Sequence, residues 1–439
     1  MRYLLRVGAV LMAVALTAGT VVGTSAARPS RVDNPYVGAS VYVNPEWSAR
    51  AVAEPGGAAV FDQPTGVWLN NIQSIQGSNG RLGLRDHLDE ALSQNAGVVQ
   101  LVVNDLPGRD CGRMASNGDL GPYDLPRYKQ EFIDPIASIV ADPKYRRLRI
   151  VTIVEPDSLG YLVTHVSPRP WATAMCDLVK ANGAYVEGIG YALAKLDRLW
   201  NVYNYLDIGH HGSLGWSEDR PTARDVLARA ATSGGSTKAN VHGFIANVAN
   251  YSALREEFLV KTSINGSPIL QSRWVDWNDF VDELSYVDVV RRELVAAGFS
   301  QRVGVLIDTS RNGWGGPNRP TGPGPETSVD AYVDGGRIDR RLLISNWCNQ
   351  VGAGLGERPV AAPAPGIDAY VWMKPPGESD GASIRLPNDE GLFNPMCDPT
   401  YDAGWGAPRP TGALPDAPQA GHWHSAQFRE LLRNAHPPL

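Results

Sequence analysis

The chain has 439 residues and a net charge of -6, from 40 basic and 46 acidic side chains. That balance excludes a nucleic-acid binder resting on phosphate neutralisation, and 43% hydrophobic residues exclude a disordered chain. Twelve Trp against eight Phe point to flat stacking surfaces, and 46 Gly with 33 Pro imply long, stiff, ordered loops.

At the N-terminus, Arg2 and Arg6 precede an uncharged apolar run over 7–23 and the small residues Thr24-Ser25-Ala26-Ala27. This is the pattern of a secretion signal over 1–27, cut after Ala26 or Ala27. The run is marginal as a membrane span. The expectation is a secreted, extracellular protein with no membrane attachment after cleavage. Residues 28–439 contain no Ser/Thr/Pro-rich linker and no internal repeat, so they are expected to form one domain.

Short β-branched runs predict strands at 37–43, 66–69, 98–103, 150–154, 202–206, 241–246, 303–307 and 369–372. Apolar spacing of three and four predicts helices at 84–92, 128–140, 172–196, 222–231, 280–297 and 426–432. Strands that alternate with helices imply βαβ units and a parallel sheet. Pro-rich stretches at 317–325 and 359–365 read as surface loops.

Almost every strand ends on a charged or amide side chain: Asn70, Asn104 and Asp105, Glu155 and Asp157, Asp207 and His210, Asn247 and Asn250, Asp308 and Arg311, Lys374. In a closed α/β barrel these ends converge on the active site. In an open doubly wound sheet they would line one crevice. No GxGxxG or GxxxxGK[ST] occurs to support a nucleotide site, so the fold class expected is an α/β protein, a (β/α) barrel with a mainly parallel central sheet.

Cys111, Cys176, Cys348 and Cys397 form an even set without CxxC or Cys/His spacing, so no metal and no cofactor are expected. Three pairings are possible. Loop length favours the local one, Cys111 with Cys176 and Cys348 with Cys397.

The acidic set Asp110, Asp157, Asp207, Asp308 and Asp380, without a metal motif, suits cleavage of a glycosidic bond. One protonated carboxyl donates to the leaving oxygen, and a second carboxylate nearby raises the acid's pKa. Taken singly, each Asp is more simply a helix cap or surface ion pair. His87 reads as a surface residue, Arg291-Arg292 as a solvated helix face and His242 as packed. Trp274 and Trp277 suit either a sugar track or the barrel rim.

The segment Leu106-Pro107-Gly108-Arg109-Asp110-Cys111 with Ala115-Ser116-Asn117-Gly118 resembles the first signature of glycoside hydrolase family 6, and Glu155-Pro156-Asp157-Ser158-Leu159 resembles the second. Tyr205-Leu206-Asp207 with Gly209-His210, Asp308-Thr309-Ser310-Arg311-Asn312-Gly313, Asn346-Trp347-Cys348-Asn349 and the run from Trp372 through Lys374 and Glu378 to Gly381 match in the same order. The resemblance spans 34–439. It implies a distorted β/α barrel with the same local disulfides, and an inverting reaction on β-1,4-glucan. Inversion needs water between acid and base, roughly 6.5–9.5 Å apart.

Residue by residue, the resemblance implies Asp157 as general acid and Asp110 as the carboxylate that raises its pKa. Ser116 would position the water, Asp380 would be the base or act through a water chain, and Arg109 would sit beside the carboxylates. Asp207, His210, Lys374 and Glu378 match substrate contacts, Trp68 and Trp347 match platforms on either side of the cleavage point, and Trp216 a more distant one. Segments 312–346, with Trp314 at its start, and 374–397 would roof the site. The expected partner is a cellulose or cello-oligosaccharide chain bound by a monomer with no carbohydrate-binding module. The expected activity is exo-acting release of cellobiose from non-reducing ends; endo-acting cleavage and weakly catalytic glucan binding are the alternatives. Three positions depart from the family pattern: Asn104 replaces a Tyr at the sugar being cleaved, Ser213 a stacking Trp, and Asn70 an Asp.

Overall fold

Runs of Val, Ile and Leu form buried strands because β-branched side chains pack well on a pleated surface. The computed structural model describes residues 31–78, 80–115, 117–387, 392–402 and 410–439. Both the leader expected over 1–27 and Ser116 lie outside these. The strands are β1 Val67–Leu69, β2 Val98–Val103, β3 Arg149–Val154, β4 Val202–Asp207, β5 Gly243–Ala246, β6 Ser263–Ile264, β7 Ser267–Pro268, β8 Gly304–Asp308, β9 Val360–Ala364 and β10 Ile367–Val371. β6 and β7 make a small antiparallel ribbon. The rest form one sheet in the order β1-β2-β3-β4-β5-β8-β10-β9, parallel throughout except for β9 against β10.

Alternate residues of the strands divide between two cores. Val98, Val102, Val151, Ile153, Tyr205, Ile245, Leu306 and Val371 meet in one cluster, which a curled sheet makes possible by turning one face of every strand inward. Val99, Leu101, Ile150, Val202, Leu206, Phe244, Val305 and Ile307 face the helices, among them Ala184–Asp197, Arg220–Ala231 and Glu283–Ala296. The curl brings β1 round to the chain just past β10. There Thr65 bridges Trp372, and the Gly66 amide donates to the Trp372 carbonyl at 3.0 Å. A Cβ on Gly66 would lie 2.5 Å from the Met373 carbonyl oxygen, so glycine is what lets the two edges approach.

The expected strand at 37–43 is absent. Only Val41 bridges, to Val98, because β1 already pairs with β2 along that edge. The helix expected over 172–196 is two helices, Ala174–Ala181 and Ala184–Asp197, broken at Gly183 with φ of 74°. The stretch read as a Pro-rich loop contains β9. Its Pro363 is tolerated because β9 is the sheet's edge.

Both local disulfides are formed, Cys111–Cys176 and Cys348–Cys397, closing loops of 65 and 49 residues. In the chain-entropy picture each restricts the unfolded chain by about 4 kcal/mol. Replacing Cys348 and Cys397 together by Ala should therefore lower unfolding free energy by about 2–4 kcal/mol in urea. A midpoint unchanged from the parent would show that the bond does not constrain the unfolded chain.

Candidate active site

Parallel register sets the strand ends level. Leu69 pairs with Val103, Val103 with Val154, and Val154 with Leu206. The residues that follow, Asn70, Asn104, Glu155 and Asp207, therefore emerge in one row at the carboxyl mouth.

After β3 the chain turns through Glu155 (φ 51°) and Asp157 (φ 64°), both left-handed. Such backbone costs about 1–3 kcal/mol per non-glycine residue and is kept where surroundings impose it. Here the Glu155 carboxylate imposes it, accepting from the amides of Asp105 (3.1 Å) and Leu106 (3.2 Å) and the Tyr128 hydroxyl (2.9 Å). Asp157 stands at the start of helix Ser158–Thr164, yet its side chain accepts no helix amide. Its carboxyl is thus not spent as a cap. The Asp157 amide donates to Asp207 Oδ2 at 2.8 Å, and Arg113 Nη1 lies 3.9 Å from Asp157 Oδ2. Burial raises the Asp157 pKa, Arg113 opposes the rise, and Asp110 and Asp380 add to it. Burial, then Asp157, pushes Asp207 up to about 7.

Asp110, also left-handed at φ 56°, is buried with Arg109 Nε 3.6 Å away. Arg109 donates through Nη1 to the carbonyls of Asn70 (2.7 Å) and Asn104. It thereby clamps the ends of β1 and β2 beside Asp110. Behind it, burial and then Asp119 push Asp105 up to about 9.

Asp380 arrives from the opposite side. Fully buried Arg311 donates to both its oxygens through Nη1, at 2.8 and 2.9 Å. The Tyr251 hydroxyl (2.6 Å) and the Asn349 amide (2.9 Å) donate to Oδ2. Lys374 Nζ donates to the Ser379 carbonyl at 3.3 Å and lies 5.5 Å from the Trp68 ring centre. Glu378 pairs with Arg50 at 3.2 Å.

His210 is buried and neutral. Its Nε2 accepts from Asn250 at 2.9 Å, its Nδ1 faces the Ser252 hydroxyl at 3.1 Å, and burial with Arg341 nearby holds its pKa well below normal. Trp347 is half-buried beneath the Arg113 guanidinium. Trp216 is turned aside, its Nε1 donating to the Asp276 carbonyl at 2.8 Å. Of the expected set, Asp157, Asp110, Asp207 and Asp380 gather around one point, with Arg113 among them. Asp308 does not join as chemistry: its oxygens accept from the amides of Ala249, Ser310, Met373 and Lys374, which makes it a structural hub.

Several sequence readings are corrected. His87 is buried, not on the surface; it bonds the Tyr42 hydroxyl at 2.9 Å, and burial lowers it to about 4. Trp314 is no cover residue; it is fully buried against Tyr251, Trp372 and Phe428. Trp274 is buried and donates to the Arg341 carbonyl, whereas Trp277 is 58% exposed. Arg291 folds back to cap the carbonyls of Val303 and Gln301. The departure at Ser213 needs no correction: its hydroxyl bonds backbone groups of His210, and no ring stands there. Sequence reasoning missed Arg113, Tyr251 and Asn349. The signal for each was proximity in sequence to a named motif: Arg113 follows Cys111, Tyr251 follows Asn250 and Asn349 follows Cys348.

The sequence pattern of the glycosyl hydrolases family 6 matches residues 37–435. Exoglucanase A of Cellulomonas fimi is 47% identical over 446 residues, covering 96% of this chain and 50% of that protein, so the chain spans half the length of that relative. A probable 1,4-beta-D-glucan cellobiohydrolase C of Aspergillus niger is 33% identical, covering 92% and 78%. Among solved structures, the catalytic domain of Cellulomonas fimi Cel6B superposes with a TM-score of 0.88 at 45% identity, covering 94% of this chain and 97% of that one. The CcCel6A catalytic domain complexed with p-nitrophenyl beta-D-cellotrioside gives 0.71 at 30% identity, covering 92% and 99%.

The buried titratable groups set a pH window for stability. His87, His165 and His242 have folded pKa values near 4, below the free value, so their contribution is lost as pH falls from about 6.5 to 4. Glu155 and Asp207 (about 7), Glu256 (about 8) and Asp105 (about 9) are raised, so theirs is full below about pH 4 and lost as pH climbs through 7–9. The two sets oppose each other between about pH 4 and 6.5, and above that only the raised acids act, so thermal midpoints should fall steadily from about pH 6.5 to 9. Glu256→Gln should flatten the alkaline fall; an unchanged alkaline limb would remove Glu256 from this account.

Proposed function

Because the chain belongs to glycosyl hydrolases family 6, we propose that it is an inverting exo-β-1,4-glucanase that releases cellobiose from the non-reducing ends of cellulose chains. The observation that carries the chemistry is the uncapped Asp157 carboxyl, partly buried and held towards its protonated form by desolvation and by Asp110 and Asp380. Its proton passes to the glycosidic oxygen as the C1–O bond breaks. A water oxygen bonds C1 from the opposite face, which inverts the anomeric centre, and the water's proton leaves towards the carboxylates. Asp110, held by Arg109, favours the protonated acid and polarises the water; Ser116 positions it. Asp380 has both oxygens engaged by Arg311, Tyr251 and Asn349. That supports a relay through water, with Asp380 supplying fixed negative charge.

Trp68, with Lys374 beside it, is the platform on one side of the cleavage point and Trp347 on the other. Asp207, His210 and Glu378 complete the contacts, and Trp216 serves a more distant sugar. Residues 28–439 act as one catalytic domain of a secreted monomer; the leader-like composition of 1–27 supports export.

On amorphous cellulose and cellohexaose, cellobiose should be nearly the sole soluble product; a spread of lengths with a fast viscosity drop would identify endo-cleavage. Proton NMR of fresh product should show the α-anomer first, and a β-anomer burst would overturn inversion. Asp157→Ala should cut the rate by about 10²–10⁴-fold, the usual worth of a general acid, and an unchanged rate would refute the assignment. Asn104→Tyr should raise turnover on cellotetraose; no change would show that this departure is silent.

A further inference from the structure

Among the described residues, Arg113 is the one cation that faces Asp157. The groups around that carboxyl are Asp110 and Arg113 from the loop after β2, Asp207 at the end of β4, Asp380 from the segment after β10, and Tyr161 on the next turn of its own helix. The Arg113 guanidinium carbon lies 4.6 Å from the Trp347 ring centre and 5.6 Å from that of Tyr161. Its approach to Asp157 is loose, at 3.9 Å, and its tip makes no hydrogen bond to a described residue. Two ring faces and a long ion pair therefore hold it in a side chain still 17% exposed.

A cation over an aromatic face occupies the same surface a sugar ring needs for stacking. The two cannot share it. The function proposed above makes Trp347 one of two platforms flanking the cleavage point; beneath the arginine that pairs with the acid it takes the leaving-side sugar, and the inference rests on that reading. We propose that Arg113 is a displaceable counter-ion: in the empty cleft it covers Trp347 and pairs with Asp157, and the sugar that stacks on Trp347 drives it away from the acid.

The consequence is ordered. Arg113 beside the acid favours the carboxylate, whereas a filled platform removes that charge and leaves Asp157 facing carboxylates and Tyr161. Proton uptake by the acid then accompanies filling of the leaving-side platform. With only a 3.9 Å ion pair and ring contacts to give up among the described residues, the guanidinium can leave at little cost.

The pH dependence of wild-type hydrolysis of cellotetraose tests this. The alkaline limb of kcat/KM reports the acid in the free enzyme, and that of kcat reports it in the complex. In the wild type the kcat/KM limb should lie about one pH unit below the kcat limb, the usual effect of an arginine on a nearby carboxyl. Arg113→Ala should move the kcat/KM limb up to join the kcat limb, which stays in place, while Arg113→Lys should keep the wild-type separation. Coincident limbs in the wild type, or an Arg113→Ala variant that shifts both limbs or neither, would overturn the proposal. Asp157→Asn in parallel separates the two failures. If Asp157→Asn hydrolyses normally, the acid assignment falls; if it is inactive while the limbs coincide, only the role of Arg113 falls.

Discussion

Crowding of negative charge at the mouth of the barrel is the constraint on which the rest of the structure depends. Parallel register sets Asp157 beside Asp207, and the loops after β2 and β10 bring Asp110 and Asp380 to them, in a place largely withdrawn from water. Carboxylates so placed repel one another and lose their hydration, so the fold must either protonate them or answer each with donors. It does both. Asp380 and Asp308 are answered, by Arg311 with two further donors and by four backbone amides respectively. Asp157, Asp207 and Asp105 are left under-compensated and shift towards the neutral form. Burial raises Asp308 as well, in spite of its four amides, so Asp157 stands apart by its uncapped, partly exposed carboxyl rather than by the shift itself.

The same need explains the left-handed residues. Glu155, Asp157, Asn247 and Ala249 all have positive φ and follow a strand by one to three residues, and Asp110, farther along the loop after β2, shares that backbone. A parallel strand that ran on smoothly would carry its acid out into solvent. A tight left-handed turn folds it back across the mouth, where amides released from the sheet ladder reach the carboxylates. Asp157 N–H to Asp207 and Ala249 N–H to Asp308 are instances.

The barrel was legible in the sequence because burial on both faces makes its strands nearly continuous apolar runs, and the strand ends stood out as the first polar residues after each run. The β1 to β5 and β8 segments match those runs to within a few residues. The site was legible where a residue belongs to a recognisable motif. It was obscure where a role depends on contact between distant segments. Tyr251 reaches Asp380 across 129 positions, and Arg113 reaches Trp347 from another loop altogether. His87 failed for a related reason: helical spacing shows which face a residue shares, but Tyr42, from a segment outside the sheet, covers that face. The Trp excess proved to be two populations. Trp47, Trp274, Trp314 and Trp372 fill core, each donating its indole N–H to a backbone carbonyl, while Trp68 and Trp347 stand at the mouth.

Each disulfide lies one residue from a side chain of the cleft. Cys111 follows Asp110 and ties that turn to helix Ala174–Ala181; Cys348 follows Trp347 and ties it to Cys397, beyond Asp380. None of the sheet strands carries a cysteine, so the bonds lie in the connections and act on the ladder only by restricting the unfolded chain. Where the bonds are formed, the acid-bearing turn and the ring of Trp347 are each tied covalently to a second segment, which limits how far either can drift from the cleft.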